Sequence, residues 1–138
     1  SGAARAGMVN FTKTAAIEGA GAGVRGNAGA PGWIASSGMD TYPDVIKAPF
    51  PALKDNIPLK RLGTESEISA AIAYLLSPAA AFLTGIPLAI DGGAPLSPAH
   101  FPLPDHKTST PFDGFHRSSV PEFLKPLVFR DPQDEEDT

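Results

Sequence analysis

Cysteine is absent from the 138 residues, which excludes disulfides and thiolate metal sites. No apolar run reaches the ~18–20 residues that a membrane-spanning helix needs. The opening residues, SGAARAGMVNFTK, lack the basic start and apolar run of a signal peptide, and without an initiator Met they read like the middle of a protein. An excess of basic charge is also missing. Net charge is −4, and residues 131–138 (DPQDEEDT) hold five acids and no base, so the remainder carries eleven bases against ten acids. A nearly neutral body offers no basic field for nucleic acid, and the acidic end is expected to be a solvated, frayed tail. Nothing marks the chain as secreted, so an intracellular protein is expected.

Glycine (14) and proline (15) together exceed a fifth of the chain, so parts of it should be irregular. A 42% hydrophobic share still permits one compact domain, the usual unit at ~100–150 residues. Residues 2–18 predict a helix, with Met8, Phe11 and Ala15 on one face, broken by Gly19, Gly21 and Gly23. Residues 24–30 take a strand's place in the order but are poor strand formers. Pro31-Gly32 is a turn signal. Residues 37–58 hold four prolines and predict a mobile lid with one short helix near 44–55. Thr64 and Glu67 form a capping box. Ile68, Ile72, Leu75 and Leu76 then repeat as one face of a helix that Ser77-Pro78 stops, with one more turn over 79–82. Residues 86–90 predict a short strand, with Pro87 at its edge or first turn, ended by Asp91-Gly92-Gly93. Eight prolines follow Ala94, so the tail is expected to be extended or disordered, with Phe101, Phe112, Phe115 and Phe123 as docking anchors. The order helix, strand, lid, helix, strand is α/β with parallel strands. Two strands alone do not make a stable sheet, so neighbours are expected.

These pieces resemble the short-chain dehydrogenase/reductase family. Residues 1–18 occupy the family's Tyr-x-x-x-Lys helix and its continuation. Arg25, Asn27, Pro31, Gly32, Ile34 and Ser36 fit its R-x-N-x-x-x-P-G-x-[IV]-x-[ST] pattern. Residues 64–93 match its capped helix and TG…DGG strand. Within the family the peroxisomal trans-2-enoyl-CoA reductase branch is most alike, through Ser1–Gly7 and Pro104-Asp105-His106. The resemblance implies the C-terminal half of a Rossmann-like, doubly wound parallel sheet over 1–93, the nucleotide-binding half lacking, and a Pro-rich, acidic-ended tail over 94–138. It also implies NADP(H), with NAD(H) as the alternative, an acyl-CoA substrate whose double bond is reduced, and a dimer or tetramer in the complete protein. The end EEDT is not a peroxisomal SKL-type signal, so cytoplasmic and peroxisomal locations both stay open.

The resemblance places Ser1 in the slot of the catalytic Tyr and Arg5 in that of the Lys. A serine hydroxyl is too weak an acid to replace phenol directly. Arg5 stays protonated and offers a fixed fork of donors for ribose hydroxyls. The family's roles for Pro31, Gly32, Ile34 and Ser36 are cofactor contacts: Ile34 holds the nicotinamide amide by its backbone, Ser36 reaches the pyrophosphate, and Gly32 permits close approach. Arg25 and Asn27 are implied to be structural, and Val9 stands where some relatives have tyrosine. Trp33 can stack on a ligand or fill a gap. Tyr42, Phe50 and Leu53 can line an acyl pocket or pack locally. His100, His106 and His116 have no metal-site spacing, and Asp91 belongs to turn chemistry.

No glycine-rich phosphate loop follows a strand; GAGAG at 19–23 follows a helix. Gly19, Gly26 and Gly29 depart from the family's larger residues, and each is expected to remove a buried side chain. Two functions follow. The chain is part of an NADPH-dependent enoyl-CoA reductase, or it is an inactive truncated relative that serves as an oligomerisation piece through Met8, Phe11, Ile68, Leu75 and Leu76. A weaker third idea gives the tail a partner of its own.

Overall fold

The computed structural model describes residues 2–97, 102–112, 114 and 121–125. Helix α1 runs Gly2–Ala20. It passes through Gly19, beyond the expected stop, and closes where the Val24 amide donates to the Gly19 carbonyl at 3.0 Å. Only Ala16 of its nineteen residues is buried. Met8 and Phe11, the face expected to pack inward, are 57% and 70% exposed. No element among the described residues covers them.

Strand β1 (Ala28–Pro31) lies parallel to β4 (Pro87–Ile90), with Ala28 opposite Pro87 and Pro31 opposite Ile90. Pro87 opens its strand, where a missing N–H costs least. β1 starts later than expected because residues 25–27 are held by side chains instead. The Arg25 guanidinium donates to the carbonyls of Leu75 (2.8 Å), Leu83 (3.2 Å) and Ser77 (3.4 Å). The Asn27 amide donates to Leu83 O at 3.0 Å and accepts from the Ile86 amide at 3.2 Å. Both residues are structural, as the resemblance implied. A second parallel pair joins β2 (Ile34–Ala35) to β3 (Gly63–Thr64). Each strand thus has a single neighbour among the described residues, which leaves sheet edges unpaired.

The lid contains a short α2 (Asp44–Lys47) between two 3-10 turns, Ser37–Thr41 and Phe50–Asn56. Helix α3 spans Glu65–Leu76. Its capping box is complete: Thr64 Oγ1 accepts from the Glu67 amide at 3.1 Å, and Glu67 Oε2 accepts from the Thr64 amide at 2.9 Å. Ser77 ends it and Pro78–Ala80 adds one 3-10 turn. Asp91 Oδ1 accepts from the Gly93 amide at 2.9 Å, and Gly92 at φ 63° takes the left-handed turn that follows.

The largest change from expectation is in the tail. Residues 102–112 have no regular secondary structure, but they are packed down rather than loose. Thr64 Oγ1 donates to Phe112 O at 2.6 Å, and Arg61 Nε donates to Ser109 Oγ at 2.8 Å. Leu124 is fully buried and completes a core cluster with Ala35, Ile57 and Leu62. Phe123 docks as expected, stacked on Phe50 with centroids 6.4 Å apart and Lys47 Nζ 5.1 Å over its ring. Phe112 is 42% exposed and anchors through its backbone. Phe101, Phe115, the acidic end at 131–138 and two of the histidines, His100 and His116, lie outside the described residues.

The three unusual glycines do not each vacate a buried space. A Cβ on Gly29 would meet nothing within 4 Å, one on Gly26 would make ordinary contacts at 3.8 Å, and one on Gly19 would crowd Val24 Cβ at 3.2 Å. Gly26 and Gly29 border a groove of about 270 Å³ with Ile72, Leu75 and Leu76, and Ile72 and Leu76 are themselves exposed. The space is an open groove, because nothing among the described residues covers that side of β1.

Candidate functional site

The carboxyl ends of parallel strands are where open α/β sheets bind ligands, and this chain places a cleft there. It measures about 760 Å³ and is lined by Arg5, Met8 and Val9 from α1, by β1, and by Gly32 and Trp33. Arg5 comes from the first turns of the helix, and β1 directs Pro31-Gly32 toward it. Among the described residues that line it, Arg5 alone carries a formal charge. Arg5 is exposed, and its guanidinium offers a fixed fork of donors to hydroxyls and anions that enter the cleft.

Gly32 owes its identity to packing within the chain. A Cβ there would sit 2.7 Å from both Cα and Cβ of Asp91. The close approach of the chain just past the paired ends of β1 and β4 therefore demands glycine, whatever approaches from the cleft.

Trp33 separates this cleft from a second, of about 570 Å³, and lines both. The second is walled by Ile34, Pro58, Leu59, Arg61, Glu67 and the 89–93 strand end, among others. Ile34 faces this side: a Cβ on Gly63 would touch its Cδ1 at 2.7 Å. Ser36 is half-buried and lines neither cleft. Its carbonyl accepts from the Met39 amide at 3.0 Å and so opens the first lid turn. The structure thus gathers Arg5, Pro31 and Gly32, sets Ile34 and Ser36 apart from them, and does not describe Ser1.

The proposed acyl-lining residues go elsewhere. Phe50 and Leu53 pack against the core cluster, and Tyr42 meets the edge of Phe50 at 6.4 Å. None of the three lines a cleft among those described. Local aromatic packing, the other reading open to the sequence, accounts for them.

One polar centre was not anticipated. Arg61 grips Glu67 with two bonds, Nη2 to Oε1 at 2.6 Å and Nη1 to Oε2 at 2.9 Å, and the Phe112 amide donates to Oε1 at 3.2 Å. Burial pushes the Glu67 carboxyl up. The Arg61 hydrogen bond and charge, with the Thr64 and Phe112 amides, more than offset this and hold it below the ordinary carboxylate value. The capping-box spacing pointed to Glu67. Arg61 left no signal, because its partners at Ser109 and Thr110 meet it only in space. His106, with Nε2 2.7 Å from Pro58 O, is likewise placed by the fold. Among the described residues no group of His, Asp and Glu is arranged to hold a metal, and no helix is long and apolar enough to cross a membrane.

The family model described as Enoyl-(Acyl carrier protein) reductase matches residues 1–95. A solved citronellol catabolism dehydrogenase of Pseudomonas aeruginosa is 54% identical at TM-score 0.54, over 67% of this chain and 34% of its own. Nodulation protein G of Azospirillum brasilense is 43% identical over 66% of this chain and 36% of its own. Acetoacetyl-CoA reductase of an Acinetobacter strain is 41% identical, covering 66% of this chain and 36% of the relative. The chain therefore spans about a third of the length of the relatives it matches. With parallel strands, the capped helix and the Pro-Gly turn in matching order, this chain belongs to the short-chain dehydrogenase/reductase family and carries the C-terminal part of its Rossmann-like fold.

Proposed function

We propose that the chain forms the nicotinamide-facing part of an NAD(P)(H)-dependent oxidoreductase that reduces the double bond of a 2-enoyl thioester, an acyl-CoA in the first instance. The observation that carries this reading is the convergence of Arg5 with Pro31 and Gly32 on one cleft at the end of β1. The matched family's description supports an enoyl thioester, and the name of the Acinetobacter relative supports a CoA-linked substrate. NADP(H) is the proposed cofactor, with NAD(H) as the alternative.

In this proposal Arg5 binds ribose hydroxyls through its guanidinium and adds positive charge where negative charge develops on the substrate. The Pro31–Gly32 backbone flanks the nicotinamide, while Ile34 and Ser36, the family's other contact positions, lie outside that cleft. Ser1 occupies the acid's slot, but a serine hydroxyl is too weak an acid to protonate the substrate directly, so in this proposal the proton comes from a group outside that slot. When bound, the reduced nicotinamide supplies a hydride. The fit is confined to that end, because the sequence contains no glycine-rich strand–helix turn to cradle phosphates. Residues 1–93 are accordingly proposed as the C-terminal part of the catalytic domain, with 94–138 as its extension.

A second reading rests on the exposed apolar side chains Met8, Phe11 and Leu76, 57%, 70% and 78% accessible. Patches of this kind mark interaction surfaces. A polypeptide that pairs through them need not be catalytic. Titrating the 138-residue chain with NADPH, then adding a medium-chain trans-2-enoyl-CoA, separates the readings. Saturable nucleotide fluorescence that Arg5→Ala weakens supports the cofactor site. No binding, together with co-purification of a full-length relative, supports the interaction piece.

A further inference from the structure

We propose that residues 102–112 and 121–125 act as a latch that holds the lid and the two residues after it, residues 37–60, and that His106 is its positioning residue. The latch grips at three places. At the first, His106 Nε2 lies 2.7 Å from the Pro58 carbonyl, and Nδ1 lies 3.2 Å from Thr108 Oγ1. A carbonyl only accepts, so Nε2 carries the proton and Nδ1 of the neutral ring accepts from Thr108.

At the second place, the Arg61–Glu67–Thr64 centre takes the strap side-on. Arg61 donates to Ser109 Oγ at 2.8 Å, Thr64 Oγ1 donates to Phe112 O at 2.6 Å, and the Phe112 amide donates to Glu67 Oε1 at 3.2 Å. Donor and acceptor capacity of the Thr64 hydroxyl are both in use, since it also accepts from the Glu67 amide. At the third, Leu124 is buried against Ile57 and Leu62, and Phe123 stacks on Phe50. The first two grips bear on Pro58, Arg61 and Glu67, which all wall the second cleft. The strap therefore fixes the spacing of that cleft's lid side. Apart from the strap, the lid is held at its start by the Ser37 amide and hydroxyl, each donating to Glu65 Oε1 at 3.3 Å, in its middle by Phe50 and Leu53 against the core cluster, and at its end by Leu59 N donating to Gly92 O at 3.4 Å; the strap bears on that last, longest bond.

This inference does not depend on the proposed reaction, and it is tested without ligand. Amide hydrogen exchange of the 138-residue chain would follow Ile57, Leu59 and Lys60, whose amides are bonded to Lys54, Gly92 and Ile57 carbonyls. In the double variant His106→Ala/Ser109→Ala these amides should exchange about tenfold faster or more, while interior α3 amides stay within about twofold of the parent. His106→Gln keeps an amide donor near the Nε2 position and should return the lid to near-parent exchange. Lid exchange unchanged in the double variant would overturn the latch. So would equal loosening of lid and α3, or a His106→Gln variant whose lid exchanges as fast as that of the double variant, because each shows that the His106 donor does not hold the lid.

Discussion

Gly32 and Gly29 sit three residues apart on the same turn and strand, yet their surroundings oppose each other. Gly32→Ala drives a Cβ to 2.7 Å from both Cα and Cβ of Asp91, atoms that move only with the backbone. A loss of about 1–3 kcal/mol in urea unfolding is expected. Gly29 has nothing within 4 Å of a Cβ, and glycine within a strand costs backbone entropy. Gly29→Val should hold stability level or raise it by about 0.5–1 kcal/mol in the same measurement. Glu67 makes the clearest prediction about pH. Its carboxyl is held below the ordinary value of 4.5, so its contribution is fully present above that value. It is lost as pH falls through the lower, folded value. Melting temperature followed downward from pH 7 should therefore drop below about pH 4.5, and Glu67→Gln should flatten that drop while lowering stability at pH 7.

Between elements, Arg25 is the joint that matters most. It satisfies carbonyls at the end of α3 and in the following turn, at 2.8 Å, 3.4 Å and 3.2 Å from Leu75, Ser77 and Leu83. The Leu75 carbonyl is one that a helix end leaves without an intrahelical partner. Arg25→Met keeps the stem and removes the donors, so a cost of about 1.5–3 kcal/mol is expected from a chemical melt. Residual exchange protection should fall first in residues 72–76. The family pattern R-x-N was visible in the sequence, but not its use. That required α3 and the 83–86 segment to lie beside residues 25–27, contacts 50–59 positions away.

Across the whole molecule the tail decides more than its composition suggests. Beside the buried Pro121, Thr64 and Ser66, seven hydrophobic residues are buried among the described residues, and Leu124 is one of them. Leu124→Ala removes a side chain from the cluster with Ala35, Ile57 and Leu62, at an expected cost of about 2–5 kcal/mol. Against a total of about 5–15 kcal/mol typical of domains, that loss should turn a cooperative thermal transition broad or abolish it. Far-ultraviolet and intrinsic Trp33 signals recorded together would show whether α1, which buries only Ala16, melts separately from the core.

Sequence alone determined the elements whose signals are local. Thr64 and Glu67 cap α3 because both capping bonds close within four residues, Ser77-Pro78 stops that helix, and Pro87–Ile90 is a strand because a short apolar run ends at a diglycine turn. Arg5, Pro31 and Gly32 were also legible as neighbours-to-be through the family pattern. Only the tertiary structure decided the rest. It folded the proline-rich tail against the lid, turned Phe50 and Leu53 into core, paired Arg61 with Glu67, and left Met8 and Phe11 uncovered. Those outcomes depend on contacts between residues far apart in the chain, and no local periodicity encodes which distant surface a segment will meet.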